Sequence, residues 1–162
     1  MQIRKIEEEH YPKIVDIYLQ GIATGIATFQ TEATDWKTWD KSHLPNCRIA
    51  AFEGNQMAGW AALSPASSRC VYAGVAEVSI YIAENFRGKR VGKYLLAKLI
   101  EESETAGLWT LQSGIFSDNK ASIKLHEQCE FREIGYREKI GKKDGVWKDN
   151  IIMERRSVVV GI

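Results

Sequence analysis

Proline, cysteine and long apolar runs are scarce in this chain, and each scarcity narrows the class of protein. The three prolines mark no domain boundary, and no repeat or flexible linker interrupts residues 1–162, so we expect a single domain. The three cysteines, Cys47, Cys70 and Cys129, form no CxxC pair, which favours reduced thiols over a disulfide framework or a metal site. No apolar run is long enough to span a bilayer or to form the core of a signal peptide, so we expect a cytoplasmic protein.

An excess of charge of either sign is also lacking. The chain has 22 basic and 21 acidic residues, which leaves a net charge of +1. This balance gives no general attraction to nucleic acid or to an anionic membrane, and we expect neither as a partner. Any anion-binding site must therefore be local.

The order of periodic segments predicts a mixed α/β domain. Alternating or β-branched runs predict strands at residues 3–6, 48–52, 57–63, 75–82, 108–116, 131–140 and 146–154. Helical spacing of apolar residues predicts helices at residues 12–23, 34–43, 91–106 and 119–128. The resulting order, β-α-α-β-β-β-α-β-α-β-β, is typical of a mixed central sheet flanked by helices.

A basic, glycine-containing segment joins the predicted strand at 75–82 to the longest predicted helix. Its residues are Arg87, Gly88, Lys89, Arg90, Val91, Gly92 and Lys93. Backbone N–H groups at a helix N-terminus are unpaired and attract anions, and glycine lets a phosphate approach the backbone. The segment is therefore a candidate pyrophosphate cradle, although a solvated basic helix cap has the same composition. It has neither P-loop nor GxGxxG spacing.

Further motifs follow one another in an informative order. Arg87-x-x-Arg90-x-Gly92 is similar to a Q/R-x-x-G-x-G/A motif, and residues 76–82 (AEVSIYI) are similar to a VEVSVYV strand. Residues 119–127 (NKASIKLHE) resemble N-x-x-S-x-x-L-H-E, residues 27–32 (ATFQTE) resemble ATFETE, and residues 141–149 (GKKDGVWKD) resemble G-x-x-x-G-x-W-x-D. Over nearly its whole length the chain thus resembles the GNAT superfamily of N-acetyltransferases, in particular the phosphinothricin and L-amino acid N-acetyltransferase branch.

This resemblance implies a fold, a reaction and a set of binding residues. It implies the GNAT fold and a homodimer that moves the acetyl group of acetyl-CoA, a co-substrate, to a small-molecule amine without a metal. The acceptors it implies are phosphinothricin, methionine sulfone or sulfoximine, or an L-amino acid. Backbone at Ile80, Tyr81 and Ile82 would hold the thioester and the pantetheine arm, and residues 87–93 would take the pyrophosphate. Asn119 and Ser122 would bind the pantetheine region.

Glu77 and His126 are the candidate catalytic residues. A carboxylate is unexpected in the apolar strand at 75–82, and burial there would make it a better general base for the acceptor's ammonium group. A surface-facing glutamate is the alternative. His126 occupies a position where many GNAT enzymes carry tyrosine, so the resemblance makes it a candidate donor to the leaving thiolate, with a structural histidine as the alternative. No cysteine falls at a motif position, which favours direct transfer.

The acceptor pocket is predicted from residue chemistry alone. Phe29 and Tyr72 are candidate aromatic walls, and Arg69 is a candidate partner for a substrate carboxylate. Phe29 is as readily a core residue, and Arg69 a solvated loop charge. An arginine-lined pocket would favour an amino acid, whereas an acidic pocket would favour a polycation. The tryptophans are predicted to lie in the core or in a dimer interface; they are Trp36, Trp39, Trp60, Trp109 and Trp147.

Three positions depart from the family pattern. Arg90 and Glu130 stand where the family usually has glycine, and a left-handed backbone at such a position would cost on the order of 1 kcal/mol. The segment 73–74 lacks a polar or basic residue that several relatives carry. Two other functions therefore stay open: a GNAT enzyme acting on a peptide N-terminus, polyamine or aminoglycoside, and a non-catalytic acyl-CoA-binding module. Glu77 and His126 argue against the second, because binding alone requires neither.

Overall fold

One seven-stranded sheet organises the chain, whose computed structural model describes residues 1–162. The strands are β1 (Gln2–Lys5), β2 (Arg48–Glu53), β3 (Gln56–Pro65), β4 (Val75–Ile82), β5 (Thr110–Phe116), β6 (Arg132–Lys143) and β7 (Val146–Arg156). The α-helices are α1 (Tyr11–Ala23), α2 (Trp36–Ser42), α3 (Val91–Thr105) and α4 (Lys120–Gln128). Short 3-10 turns cover Glu8–His10, Cys70–Tyr72 and Glu84–Phe86. None of the helices is long and apolar enough to cross a membrane.

The two central strands of the sheet separate along their length. The strand order is β1-β2-β3-β4-β5-β7-β6, and only the β4–β5 pair is parallel. β4 and β5 pair only over Val75–Glu77 and Thr110–Gln112, whereas β4 stays paired with β3 up to Ile82 and β5 with β7 up to Phe116. A wedge therefore opens beyond Glu77, and one edge of β4 has no strand partner there.

Helices cover both faces of the sheet. A Cβ added at Gly21 of α1 would lie 2.8 Å from the ring of Tyr81, and one added at Gly92 of α3 would lie 3.7 Å from Ile82. Successive residues of a strand point to opposite faces, so α1 and α3 lie on opposite sides of β4. Leu95, Leu96 and Leu99 of α3 are fully buried, as the apolar stripe in the sequence predicts.

Local signals in the sequence locate most element boundaries. β4 has its predicted limits, and the Asp35 side chain caps α2 by accepting a hydrogen bond from the Thr38 N–H at 2.8 Å. The β6–β7 turn places Asp144 and Gly145 at φ +51° and +78°, as a two-residue type I′ hairpin requires. The predicted mixed sheet flanked by helices is confirmed.

Both departures from the family glycines occupy left-handed backbone. Arg90 is the N-cap of α3 with φ +63°, and Glu130 follows the end of α4 with φ +68°. Glu130 is tethered by an ion pair to Arg155 at 3.3 Å, and Arg155 also pairs with Glu104 at 2.9 Å. The Arg90 side chain is exposed and makes no hydrogen bond or ion pair. The condition under which these substitutions cost stability is therefore met, and only Glu130 has a compensating contact.

Candidate active site

A cavity of about 550 Å³ fills the wedge between β4 and β5. Both faces of β4 contribute to its wall, Glu77 and Tyr81 from one and Val78 and Ile80 from the other. The rest of the wall comes from α1, residues 27–34, α2, Trp60 of β3, β5, α4 and β7. Distant segments of the chain thus meet at the one place where the sheet is open.

Aromatic side chains form the end of the cavity that lies against α1 and α2. Tyr81 stacks on Trp60 at 5.1 Å and meets Tyr18 edge-on at 4.9 Å, and Trp60 contacts Trp39 at 5.8 Å. Burial raises the pKa of the phenols of Tyr18 and Tyr81, so both stay protonated at neutral pH. Tyr11, Ile14 and Tyr18 lie three and four residues apart on α1, and this spacing turns all three toward the wall.

The charged wall residues are acidic. Glu32 and Glu77 line the cavity, and no lysine or arginine does. The expectation that Glu77 is buried is wrong, because its side chain is exposed. Glu77 belongs to the last residue pair that joins β4 to β5, and beyond it the wedge opens to solvent. Its carboxylate is therefore free to meet an incoming cation.

His126 closes the α4 side of the cavity. It is 1% exposed, its ring meets Phe131 edge-on at 4.9 Å, and its Nδ1 lies 2.7 Å from the carbonyl oxygen of Ser122. A carbonyl can only accept, so Nδ1 carries the hydrogen and the neutral ring presents a lone pair at Nε2. Burial lowers the pKa of the imidazole, while the bond to Ser122 acts in the opposite sense. The neutral ring is therefore favoured.

Three buried polar atoms of wall residues have no partner within the chain. They are Nε2 of His126, Oδ1 of Asn150 and Nε1 of Trp60. Buried polar atoms without a partner are rare in folded proteins and call for an explanation such as a bound molecule or water. The cavity wall thus offers two hydrogen-bond acceptors and one hydrogen-bond donor to a bound molecule.

The start of α3 offers a row of free donors. The backbone N–H groups of Gly88, Arg90, Val91, Gly92 and Lys93 reach no acceptor in the chain. Gly88 has φ +75° and open space around it, as close approach of a ligand would require. Gly92 has a different reason, since an added Cβ would lie 3.1 Å from Leu125 of α4. The segment thus has the free N–H groups that bind anions at helix N-termini.

The structure brings five of the predicted binding residues together in the cavity, whereas residues 87–93 do not line it. Ile80, Tyr81, Asn119 and Ser122 line the cavity, and Asn119 also caps α4, its Oδ1 accepting from the Ser122 N–H at 3.3 Å. Phe29 is on the wall, edge-on to Phe116 at 4.5 Å. The backbone of Ile82 lies on the unpaired edge of β4.

Other predicted residues lie elsewhere. Arg69 and Tyr72 do not line the cavity; both are exposed, and the guanidinium of Arg69 lies 5.5 Å from the Tyr72 ring centroid. They sit at the turn before β4, outside the wedge. Trp147 is 53% exposed and is not a core residue, whereas Trp39 and Trp60 are buried.

Sequence reasoning missed several wall residues. His43 stacks on Trp39 at 4.2 Å, with its Nδ1 2.7 Å from the Trp39 carbonyl. Asn150 is the second residue, and its one available signal is a polar side chain just before the apolar run of β7. For Tyr18 the signal was a tyrosine on the apolar face of α1.

No group of three or more His, Cys, Asp or Glu side chains could hold a metal ion.

Comparisons with known proteins agree with this geometry. The family model described as Acetyltransferase (GNAT) family matches residues 4–131. YwnH of Bacillus subtilis, provisionally named a phosphinothricin acetyltransferase, is 34% identical over 96% of this chain and 98% of its own length. The L-amino acid N-acyltransferase MnaT of Escherichia coli is 27% identical over 95% of this chain and 92% of its own length.

A solved structure of a GNAT superfamily protein has the same fold. Phosphinothricin acetyltransferase (Pat) from Sinorhizobium meliloti, a GNAT superfamily protein in complex with AcCoA, is 26% identical and superposes with a TM-score of 0.86. The match covers 96% of this chain and 87% of that one. With the wedge in the sheet, the free N–H groups before α3 and a family match over most of its length, this chain belongs to the GNAT family of acetyltransferases.

Proposed function

We propose that this chain is a cytoplasmic, acetyl-CoA-dependent N-acetyltransferase that acetylates a small amino-acid-like acceptor, with Glu77 as general base. The observation that carries the proposal is the wedge between β4 and β5. It holds a cavity with an exposed carboxylate, and the segment with the free N–H groups follows the unpaired edge of β4 directly in the chain. Phosphinothricin and L-amino acids are the acceptors in the names of the relatives, and they set the first acceptors to test.

The residues around the wedge fit acetyl-CoA. The unpaired edge of β4 at Ile80, Tyr81 and Ile82 can pair with the amides of a pantetheine arm, as an added strand would. Residues 88–93 would hold the pyrophosphate, helped by the positive charges of the same segment. Asn119 uses its Oδ1 as a cap, which leaves its amide hydrogens for the ligand, and Ser122 lies beside it. When bound, the co-substrate supplies an activated acetyl thioester.

Glu77 is placed to prepare the acceptor. An amino-acid ammonium is mostly protonated at neutral pH and must lose a proton before its nitrogen can attack a carbonyl carbon. An exposed carboxylate at the mouth of the wedge attracts the ammonium and can take that proton, directly or through a water molecule. The new bond joins nitrogen to the acetyl carbon, the carbon–sulfur bond breaks, and the thiolate leaves.

Before the reaction, His126 would be a hydrogen-bond acceptor. Its neutral form offers only a lone pair at Nε2, so a donor role requires that the ring first take a proton. We propose that, after Glu77 has taken the ammonium proton, the imidazole receives the second proton, which the attacking nitrogen loses once it is bonded to the acetyl carbon, and passes it to the thiolate. The donor role that the sequence suggests is thereby kept as the second half of a cycle, and the low pKa of the imidazole assists the return.

We also propose that the enzyme is a homodimer. Five large apolar side chains are exposed on the β6–β7 hairpin: Ile134, Tyr136, Ile140, Val146 and Trp147. An exposed apolar surface of this kind is characteristic of a protein interface. Sedimentation equilibrium would give the mass of a dimer, and a monomer mass at micromolar concentration would refute this part of the proposal.

One observation favours a second acceptor class. The cavity wall carries Glu32 and Glu77 and no lysine or arginine. Such a wall suits an amine that has several positive charges, or one that has no carboxylate. A polyamine is the natural representative of this class.

Thiol release from acetyl-CoA tests the proposal. The acceptors are L-amino acids, methionine sulfone, methionine sulfoximine and phosphinothricin, with spermidine and a model peptide as competitors for the assignment. We expect kcat/KM to be highest for one of the amino-acid-like acceptors. A preference for spermidine or the peptide would refute the acceptor class, and no turnover with any acceptor despite binding of acetyl-CoA would refute the catalytic role.

A further inference from the structure

The acidic wall of the cavity leaves the carboxylate of an amino-acid acceptor without a partner. Within one chain, a cation that could attract this carboxylate must therefore lie just outside the wall. Two buried cationic side chains donate hydrogen bonds to backbone carbonyls of wall residues. Arg48 Nη2 reaches the His43 oxygen at 3.0 Å, and Lys143 Nζ reaches the Gln30 oxygen at 3.1 Å.

Arg48 is already neutralised. Its guanidinium is ion-paired with Asp40 and donates also to the carbonyl oxygen of Leu44 at 2.7 Å. Its planar guanidinium group lies 5.2 Å from the Trp39 ring centroid. Paired in this way, Arg48 joins α2 to β2 and has no free charge to offer to a ligand.

Lys143 is not neutralised. It is 6% exposed, and no carboxylate lies within 4.0 Å of its ammonium group. The Gln30 carbonyl is the single acceptor for its three donors. A buried lysine is almost always paired, because an uncompensated charge in the interior is costly. An anion is therefore missing from the surroundings of Lys143.

The position of Lys143 relative to the wall is fixed. Gly141, on the same strand, packs so closely under Phe29 that an added Cβ would lie 2.9 Å from the Phe29 ring. Phe29 and Gln30 are both wall residues. The ammonium group of Lys143 thus lies directly behind the wall, one hydrogen bond away from a residue that faces the cavity.

We propose that Lys143 is a specificity-determining residue that favours acceptors carrying a carboxylate. The inference rests on the proposed function. Its charge acts across the 28–30 segment, and because Lys143 is itself buried, solvent screens this charge less than that of an exposed lysine. A carboxylate in the cavity beside Gln30 would supply the anion that Lys143 lacks. Glu77 would meet the acceptor's ammonium group, so the two charges of an amino acid would face two opposite charges of the protein.

The test compares two acceptors that differ in one charge. Steady-state kinetics are measured for L-methionine sulfone and for its carboxamide, with wild type and with Lys143→Met, which keeps the length of the side chain. We expect Lys143→Met to raise KM for L-methionine sulfone on the order of tenfold while kcat changes little. KM for the carboxamide should stay within about twofold, so that each enzyme is its own folding control.

Two further variants sharpen the comparison. Lys143→Arg keeps the charge and should keep the preference for the carboxylate. Lys142→Met is the matched control, because Lys142 is the exposed neighbour whose ammonium lies 4.8 Å from the Trp147 ring centroid, and it should leave both KM values unchanged.

The possible failures are distinct. If Lys143→Met raises KM equally for both acceptors, or for neither, Lys143 does not read the carboxylate and the inference is wrong while the proposed function stands. If wild type acetylates only the carboxamide, or neither compound while it acetylates spermidine, the amino-acid acceptor class is wrong and the inference falls with it.

Discussion

Replacing Arg90 by glycine should make the protein more stable. Arg90 has φ +63°, and a left-handed residue other than glycine costs about 1–2 kcal/mol. Removing this cost stabilises the folded state, but glycine loses more backbone freedom on folding, which offsets about 0.5–1 kcal/mol of the stabilisation. The side chain makes no hydrogen bond or ion pair, so nothing else is lost. We expect the free energy of unfolding to rise by about 1 kcal/mol and Tm by about 2–4 °C.

Urea denaturation without ligand measures this change, with Arg87→Gly as the matched control. Arg87 is an exposed arginine of the same segment, but its backbone is extended, with φ −64° and ψ 144°. Both variants remove an arginine charge from the same segment, and only Arg90→Gly relieves a left-handed backbone, whereas Arg87→Gly also removes a long hydrogen bond from Arg87 Nε to the Ile82 oxygen at 3.4 Å. Arg87→Gly should therefore lower stability by about 0.5–1 kcal/mol. Equal changes in the two variants would refute the backbone explanation.

Two more predictions concern a buried histidine and a buried glycine. Because burial lowers the pKa of His126 in the folded state, the unfolded chain binds more protons below pH 6.5, so stability should fall as pH drops from 7 to 5. Urea titrations at several pH values should show a smaller fall in His126→Asn, and an equal fall would contradict the assignment. At Gly74 an added Cβ would lie 2.0 Å from the Trp109 ring, so Gly74→Ala should lower the free energy of unfolding by about 1–3 kcal/mol. Gly135→Ala, with open space around it, should change it by less than about 0.5 kcal/mol, and similar losses in both would contradict the packing argument.

The sequence predicts elements well where the signal is local. β4 has its predicted limits, and the Asp35 cap of α2 and the Asp144-Gly145 turn likewise depend on a few neighbouring residues. The segment with free N–H groups before α3 could be located for the same reason, since a helix start and its glycines are adjacent in sequence.

The walls of the cavity depend on contacts between distant segments. Glu77 is exposed because β4 and β5 stop pairing beside it, which no feature of β4 alone reveals. The tautomer of His126 depends on the carbonyl of Ser122, and the isolation of Lys143 depends on a segment more than a hundred residues away. Arg69 had the right chemistry for a carboxylate but lies outside the wedge.

Acetyl transfer by Glu77→Gln tests the central claim most directly. The substitution keeps the shape of an exposed side chain and removes the proton acceptor, and the best acceptor of the wild type serves as substrate. Binding of acetyl-CoA is measured by calorimetry on the same samples. We predict that kcat/KM falls by about 10²–10⁴-fold while acetyl-CoA binds as in wild type. Turnover within about threefold of wild type would show that Glu77 is not the base and would contradict the account of how this site works.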